Sequence, residues 1–317
     1  MVLYISTFLT ALFVTIVATP MASRIAQKIG AVDHPSDRKI HTSIIPRLGG
    51  LAIFIGFVVA ILLSLMLASA LGMQVDVRLI LGVVLAASVM FLCGLVDDIK
   101  GLKPLQKLAW QGLAAGIVLL FGSEITFISN PFNGIFALGF IGVPLTIFWL
   151  VGVTNAINLI DGLDGLAAGV TAISAAALFF VALRTHQIGA ALLLISLTGA
   201  AVGFLRFNFF PAKIFLGDSG SLFLGFILAA SSIVGVFKTT LVVALVIPVL
   251  ILGVPIFDTL FAIGRRLKDR RHPFEADDKH IHHMFLRAGF SQRETVLSIY
   301  IACFLLSFSA VFLALQR

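Results

Sequence analysis

Apolar runs of about 17 to 24 residues recur from one end of this 317-residue chain to the other, with short polar stretches between them. A helix of about 20 apolar residues crosses the ~30 Å hydrocarbon core of a bilayer. Hydropathy places such spans near residues 2–22, 48–71, 79–96, 105–121, 138–157, 165–183, 189–205, 220–236, 239–261 and 295–315. The chain is 60% hydrophobic and 12% charged, about half the charge of an ordinary soluble domain, which excludes a water-soluble globule. We expect an all-α integral membrane protein of about ten transmembrane helices, forming a single polytopic domain over residues 1–317. The stretch from Phe127 to Phe140 is expected to hold a re-entrant or interfacial segment. The first span lacks a basic leader and a small-residue cleavage site, so it is expected to be retained.

The formal net charge of +7 would suggest nucleic acid in a soluble chain, but in a membrane protein it reports orientation. Lys and Arg divide 18 to 4 between alternate loops, which puts the richer set in the cytoplasm and both termini outside. The cytoplasmic loops lie near residues 24–47, 97–104, 158–164, 206–219 and 262–294. Of the acids and histidines, only Asp76, Glu124 and His186 fall on the other side. The positive-inside rule does not sort those residues, so their gathering points to a polar site built from several cytoplasmic loops. Cys93 and Cys303 lie in apolar runs and read as buried small hydrophobes.

Five polar segments are candidates for chemistry. Asp97 and Asp98 end the third span, followed by Lys100, Lys103 and Lys107. Adjacent carboxylates at a membrane boundary repel unless a cation compensates, so one of them is a candidate base or ligand; a solvated pair balanced by the lysines is the plain alternative. In Asn158-Leu159-Ile160-Asp161-Gly162-Leu163-Asp164-Gly165, oxygens recur at helical spacing and can converge on one cation or sugar. Gly217-Asp218-Ser219-Gly220-Ser221 opens the eighth span; a helix start offers amides to phosphate, and Asp218 can hold an accompanying divalent cation. The His280-Ile281-His282-His283 segment follows a run of arginines and suits a transition metal or phosphate recognition, with zinc the weaker choice because no thiolate accompanies it. Arg38, Lys39 and Arg47 in the first loop suit anionic head groups. Asp258 lies near the end of the ninth span, where it is expected either to bend toward the site or to pair with Arg265. There is no Walker A or GxGxxG segment, so a nucleotide must be held differently.

From Asp33 to Arg293 these pieces, with Pro46-Arg47-Leu48-Gly49-Gly50 added, resemble the polyprenyl-phosphate N-acetylhexosamine-1-phosphate transferases, in the same order along the chain. The resemblance implies transfer of a sugar-1-phosphate from a UDP-N-acetylhexosamine to undecaprenyl phosphate, with release of UMP and a requirement for Mg²⁺ or Mn²⁺. It implies that Asn158 and Asp218 hold the metal, that Phe215 stacks on uracil, and that Asp161 and Asp164 orient the nucleotide or sugar. Asp97 then accepts or excludes a proton, Asp98 supports it, Lys107 steers the lipid phosphate, and Arg47, His280, His282 and His283 complete the polar shell. The Pro273–His283 segment resembles the UDP-N-acetylglucosamine branch that starts O-antigen, enterobacterial common antigen or teichoic acid. Asp278 stands where that branch usually has Arg. A bacterial inner membrane location, with the active site in the cytoplasm, follows from the same resemblance, and a homodimer is compatible with it.

Three rival readings remain at this point. The muramoyl-pentapeptide branch of the same superfamily carries a different histidine pattern. A transporter or flippase would place acids well inside its spans and often shows an inverted repeat. A CDP-alcohol phosphotransferase shares an Asp-Gly pair but needs an Ala-Arg and later paired acids that are absent.

Overall fold

The computed structural model describes residues 1–34, 44–130, 134–237, 246–269 and 280–316. Its helices are α1 (Val2–Ile29), α2 (Gly49–Ala70), α3 (Val77–Lys100), α4 (Pro104–Leu120), α5 (Gly142–Ile160), α6 (Leu166–Arg184), α7 (Ile188–Asn208), α8 (Gly217–Ser232), α9 (Val246–Ile251), α10 (Gly253–Lys268), α11 (Ile281–Arg287) and α12 (Gln292–Leu315). The two-residue strands β1 (Val32–Asp33) and β2 (Ile45–Pro46) pair antiparallel, as do β3 (Phe127–Asn130) and β4 (Gly134–Ala137).

Eight described segments are long and apolar enough to cross a membrane, so the chain is an all-α, multi-pass membrane protein. The expected ten spans differ from this in two places. The fourth is α4, only 17 residues long; Pro104 and the Gln106 side chain, which accepts the Lys103 amide at 2.9 Å, start it sharply after Gly101. The ninth is broken at Leu252 between α9 and α10, and its first part lies outside the described residues. Pro255 sits at the start of α10, where a missing N–H costs least. The expected interfacial segment is the β3–β4 hairpin, whose backbone groups satisfy each other in pairs.

Helix ends carry local signals. Asp76 accepts the Leu79 amide at 3.1 Å to start α3, and Ser291 with Glu294 forms a capping box at the start of α12. At 28 residues, α1 is about 42 Å long, more than the hydrocarbon core, so its length leaves room for Arg24 and Lys28 beyond a span.

The core is organised around α8, which packs on α3, α5, α2, α6 and α7. Nearly every residue from Gly217 to Ser232 is buried, and its small side chains let neighbours approach closely. Because the helices alternate in direction, the ends of α3, α5 and α7 meet the starts of α2, α4, α6, α8 and α12 at one end of the bundle. All five candidate segments belong to that end, although Arg38, Lys39 and residues 270–279, including Asp278, lie outside the described residues.

Candidate active site

The start of α8 is the platform of the site, and backbone contacts lash it in place. Gly49 and Gly50, the first amides of α2, donate to the carbonyls of Phe215 and Leu216 at 2.9 Å each, while the Phe215 amide donates to Pro46 at 2.8 Å. The first orphan amides of α2 are thereby satisfied by carbonyls of the segment that leads into α8. Gly217 has φ +73°, and a Cβ there would fall 2.2 Å from the Arg47 carbonyl oxygen, so glycine is required on both counts. Gly94 of α3 is equally constrained, since its Cβ would lie 2.3 Å from the Asp218 carbonyl oxygen.

That close approach delivers Asp98 to the helix start. Its carboxylate is fully buried and accepts the Asp218 amide at 2.9 Å, the Ser219 amide at 3.0 Å and the Ser219 hydroxyl at 2.7 Å. It caps α8 from another helix, with the positive helix end stabilising the charge. Asp98 is therefore occupied in holding the platform and does not line the cavity.

Asp218 is the centre. Its Oδ1 accepts from Asn158 Nδ2 at 2.7 Å and from Lys107 Nζ at 3.2 Å, while its Oδ2 faces Arg47 Nη2 at 3.8 Å. Lys107 also pairs tightly with Asp97, whose other oxygen accepts the Leu102 amide at 2.6 Å. Asn158 donates a second bond to Ser221 at 2.8 Å. One turn earlier on α5, Asn155 exchanges amide bonds of 2.9 and 3.1 Å with Gln111 of α4, tying the lysine's helix to the asparagine's. Arg47 completes the ring by reaching Asp33 at 3.7 Å.

In front of Asp218 opens a cavity of about 720 Å³, lined by Asp33, Arg47, Asn158, Asp161, Asp164, Asn208, Phe215, Asp218 and His283 among others. The volume lies within the range of small-molecule sites. Asp164 accepts the Ala212 amide at 2.9 Å. Asn208 bonds both the Gly165 amide and the Ile214 carbonyl, joining the α5–α6 turn to the segment before α8. The carboxyl of Asp161 is pushed up to about 8, first by loss of water around it and then by repulsion from Asp218 and Asp98, which Arg47 only partly offsets.

The cavity is thus over-supplied with carboxylates relative to Arg47 and Lys107. This donor set fits a hard divalent cation such as Mg²⁺, which takes oxygen ligands and needs only one or two from protein when phosphates supply others. Among the described residues there is no cluster of three His, Cys, Asp or Glu side chains suited to a metal. Asp218 Oδ2, the oxygen not taken by Asn158 or Lys107, could serve such a cation, while Asn158 turns its Nδ2 to Asp218 and Ser221.

The three histidines of α11 and its cap divide. His283 lines the cavity. His282 is buried against Gly162, with Nε2 only 2.4 Å from where a Cβ would stand. His280 turns away to Asp258, Nδ1 to Oδ2 at 2.8 Å, and the Ile281 amide donates to Asp258 Oδ1 at 2.8 Å. The sequence marks Asp258, and Asn155 and Asn208 at the heads of their polar segments, without showing these partners. It marks neither Gln111 nor Tyr300, whose hydroxyl donates to the Gly165 carbonyl at 2.6 Å.

Burial and the neighbouring His283 and His280 depress the His282 imidazole to about 4 from an ordinary value of 6.5. As pH falls below 6.5 the undocked segment gains a proton that the docked one refuses, so docking weakens between pH 6.5 and 4 by up to about 3 kcal/mol. The midpoint of thermal unfolding in detergent should accordingly drop more steeply over that window in the wild type than in His282→Gln. Parallel slopes would remove His282 as the source.

Residues 80–236 match the profile of glycosyl transferase family 4. A probable undecaprenyl-phosphate N-acetylglucosaminyl 1-phosphate transferase of Bacillus subtilis is 43% identical over 315 residues, 99% of this chain and 86% of that protein. A decaprenyl-phosphate N-acetylglucosaminephosphotransferase of Mycobacterium tuberculosis is 36% identical, covering 95% and 80% of the two chains. An undecaprenyl-phosphate alpha-N-acetylglucosaminyl 1-phosphate transferase of Escherichia coli is 28% identical, covering 96% and 83%.

Proposed function

Since the chain belongs to glycosyl transferase family 4, we propose that it transfers N-acetylglucosamine-1-phosphate from a UDP-sugar to undecaprenyl phosphate and releases UMP. The observation that carries this reading is Asp218, held at the start of α8 by Lys107 and Asn158 and facing Arg47 at the mouth of the cavity. Both substrates are anionic, and the site itself is rich in carboxylates, so a cation must accompany them. Mg²⁺ held by Asp218 and Asn158 supplies charge neutralisation on the diphosphate when bound.

The chain's own residues do the rest. Phe215 offers a ring for the uracil, Asp161 and Asp164 orient the nucleoside or sugar, and Arg47 and His283 face the diphosphate. An oxygen of the lipid phosphate attacks the β-phosphorus, and the bond from that phosphorus to the bridging oxygen breaks, leaving the electron pair on UMP. Lys107 changes partners as the lipid phosphate arrives, and Asp97 holds it in reach. By resemblance the site faces the cytoplasm of a bacterial inner membrane, and the product starts a lipid-linked envelope glycan.

The test is UMP release by purified protein in detergent with undecaprenyl phosphate, Mg²⁺ and either UDP-N-acetylglucosamine or UDP-N-acetylmuramoyl-pentapeptide. Release is expected with the first nucleotide and only when lipid, metal and nucleotide are all present. Release with the second instead would move the chain to the other branch, and release independent of lipid would overturn the transfer.

A further inference from the structure

The His280–His283 segment depends on a residue from another helix. His280 and Asp258 are both almost wholly buried, at 4% and 6% exposed, so neither meets a ligand in the cavity. One carboxylate oxygen of Asp258 takes the His280 ring at 2.8 Å and the other takes the Ile281 amide at 2.8 Å. The His280 ring lies parallel to that of His282 at 5.9 Å between centroids, and the His282 ring lies 4.2 Å from that of His283. A continuous line of contacts therefore runs from α10 to the cavity, where His283 sits with Asp161, Asp164 and Asp218. At seven residues, α11 is far too short to hold its own shape in isolation. Its place must come from what clamps it.

We propose that Asp258 is a positioning residue for the transfer reaction, clamping His280 and the first amide of α11 so that His283 alone of the three histidines in this segment meets the diphosphate. This rests on the transferase reading above. Carboxylates that orient metal-bound imidazoles matter by about 10- to 100-fold without touching the reactant, and Asp258 stands in the same relation to the His280 ring. The bidentate use of Asp258 explains why this acid stands inside an otherwise apolar stretch of α10, which itself packs on α5, the helix that bears Asn158.

A double-mutant cycle reads the coupling. Asp258→Ala and His283→Ala are each expected to lower kcat/KM for UDP-N-acetylglucosamine by about 10- to 100-fold, and the double variant is expected to be no worse than His283→Ala alone. Losses that multiply would overturn the proposal, because Asp258 would then act by another route. Asp258→Asn, which preserves shape and can still accept the Ile281 amide, runs the same cycle if the alanine variant is not recovered folded. A second readout needs no turnover: carbethoxylation by diethylpyrocarbonate, mapped by mass spectrometry. In the wild type His283 is expected to react and His280 to be protected, with protection of His280 lost in Asp258→Ala or Asp258→Asn. Unchanged protection would overturn the clamp. If the wild type released no UMP from any UDP-sugar, the transferase reading would fail while the mapping still decided the clamp.

Discussion

Asp218→Ala lowers turnover by about 10³-fold or more while leaving the bundle assembled. The size follows from what the carboxylate is placed to do: it is the proposed cation ligand in a site where phosphoryl transfer depends on positioning and charge neutralisation rather than on covalent help from the protein. The integrity follows from its partners. When Asp218 is truncated, Lys107 keeps Asp97 and Asn158 keeps Ser221, so neither is left buried without a bond. The helix start is unaffected because it is held through backbone amides by Asp98. UMP release and thermal unfolding, measured on the same preparation, check both halves. Wild-type-like turnover would remove Asp218 from the reaction.

The neighbouring acid should behave in the opposite way, with stability as the main casualty. Asp98→Ala deletes three hydrogen bonds at once and strands two amides and a hydroxyl in a closed interface between α3 and α8. Each orphaned group costs roughly 1–3 kcal/mol. We expect a loss of about 3 kcal/mol or more in detergent unfolding, with Asp98→Asn intermediate because its amide oxygen still accepts one bond. Activity should fall only as far as the platform is displaced. If Asp98→Ala unfolds like wild type yet is inactive, Asp98 takes part in the chemistry itself.

The contrast between these two acids shows which level of the structure is written in the sequence. Apolar length revealed the helices, since a span needs a fixed number of residues whatever it packs against. It misled where length and continuity parted, at the short α4 and at the break between α9 and α10. The polar segments announced themselves because charge at a membrane boundary needs a reason, and Asp161, Asp164, Asn158, Phe215, Asp218 and Arg47 do meet around one cavity. Division of labour was hidden. Asp97 and Asp98 are adjacent in sequence, yet one pairs with Lys107 and the other caps α8, because successive residues on a helix point about 100° apart. His280 and His283 likewise diverge through a partner 22 residues away on α10, a distance over which local pattern carries no information. Tyr300 reaches Gly165 across 135 positions and left no local trace at all.

The enclosure of α8 also bears on how the protein is made. Of the eight candidate spans it is the least apolar and the most completely surrounded, so it has the weakest reason of its own to leave the translocation machinery for lipid. Its glycines and serines become acceptable in the bilayer against the helices that enclose it, all synthesised before it, among them α3 and α5, whose Gly94 and Thr154 come close to it. The nascent chain must therefore hold those helices together as a receptive groove until Gly217–Ser232 arrives. Because the same helix carries Asp218, the centre of the active site comes into being at the moment of that insertion, and a biosynthetic intermediate halted earlier is a membrane-embedded but chemically empty scaffold.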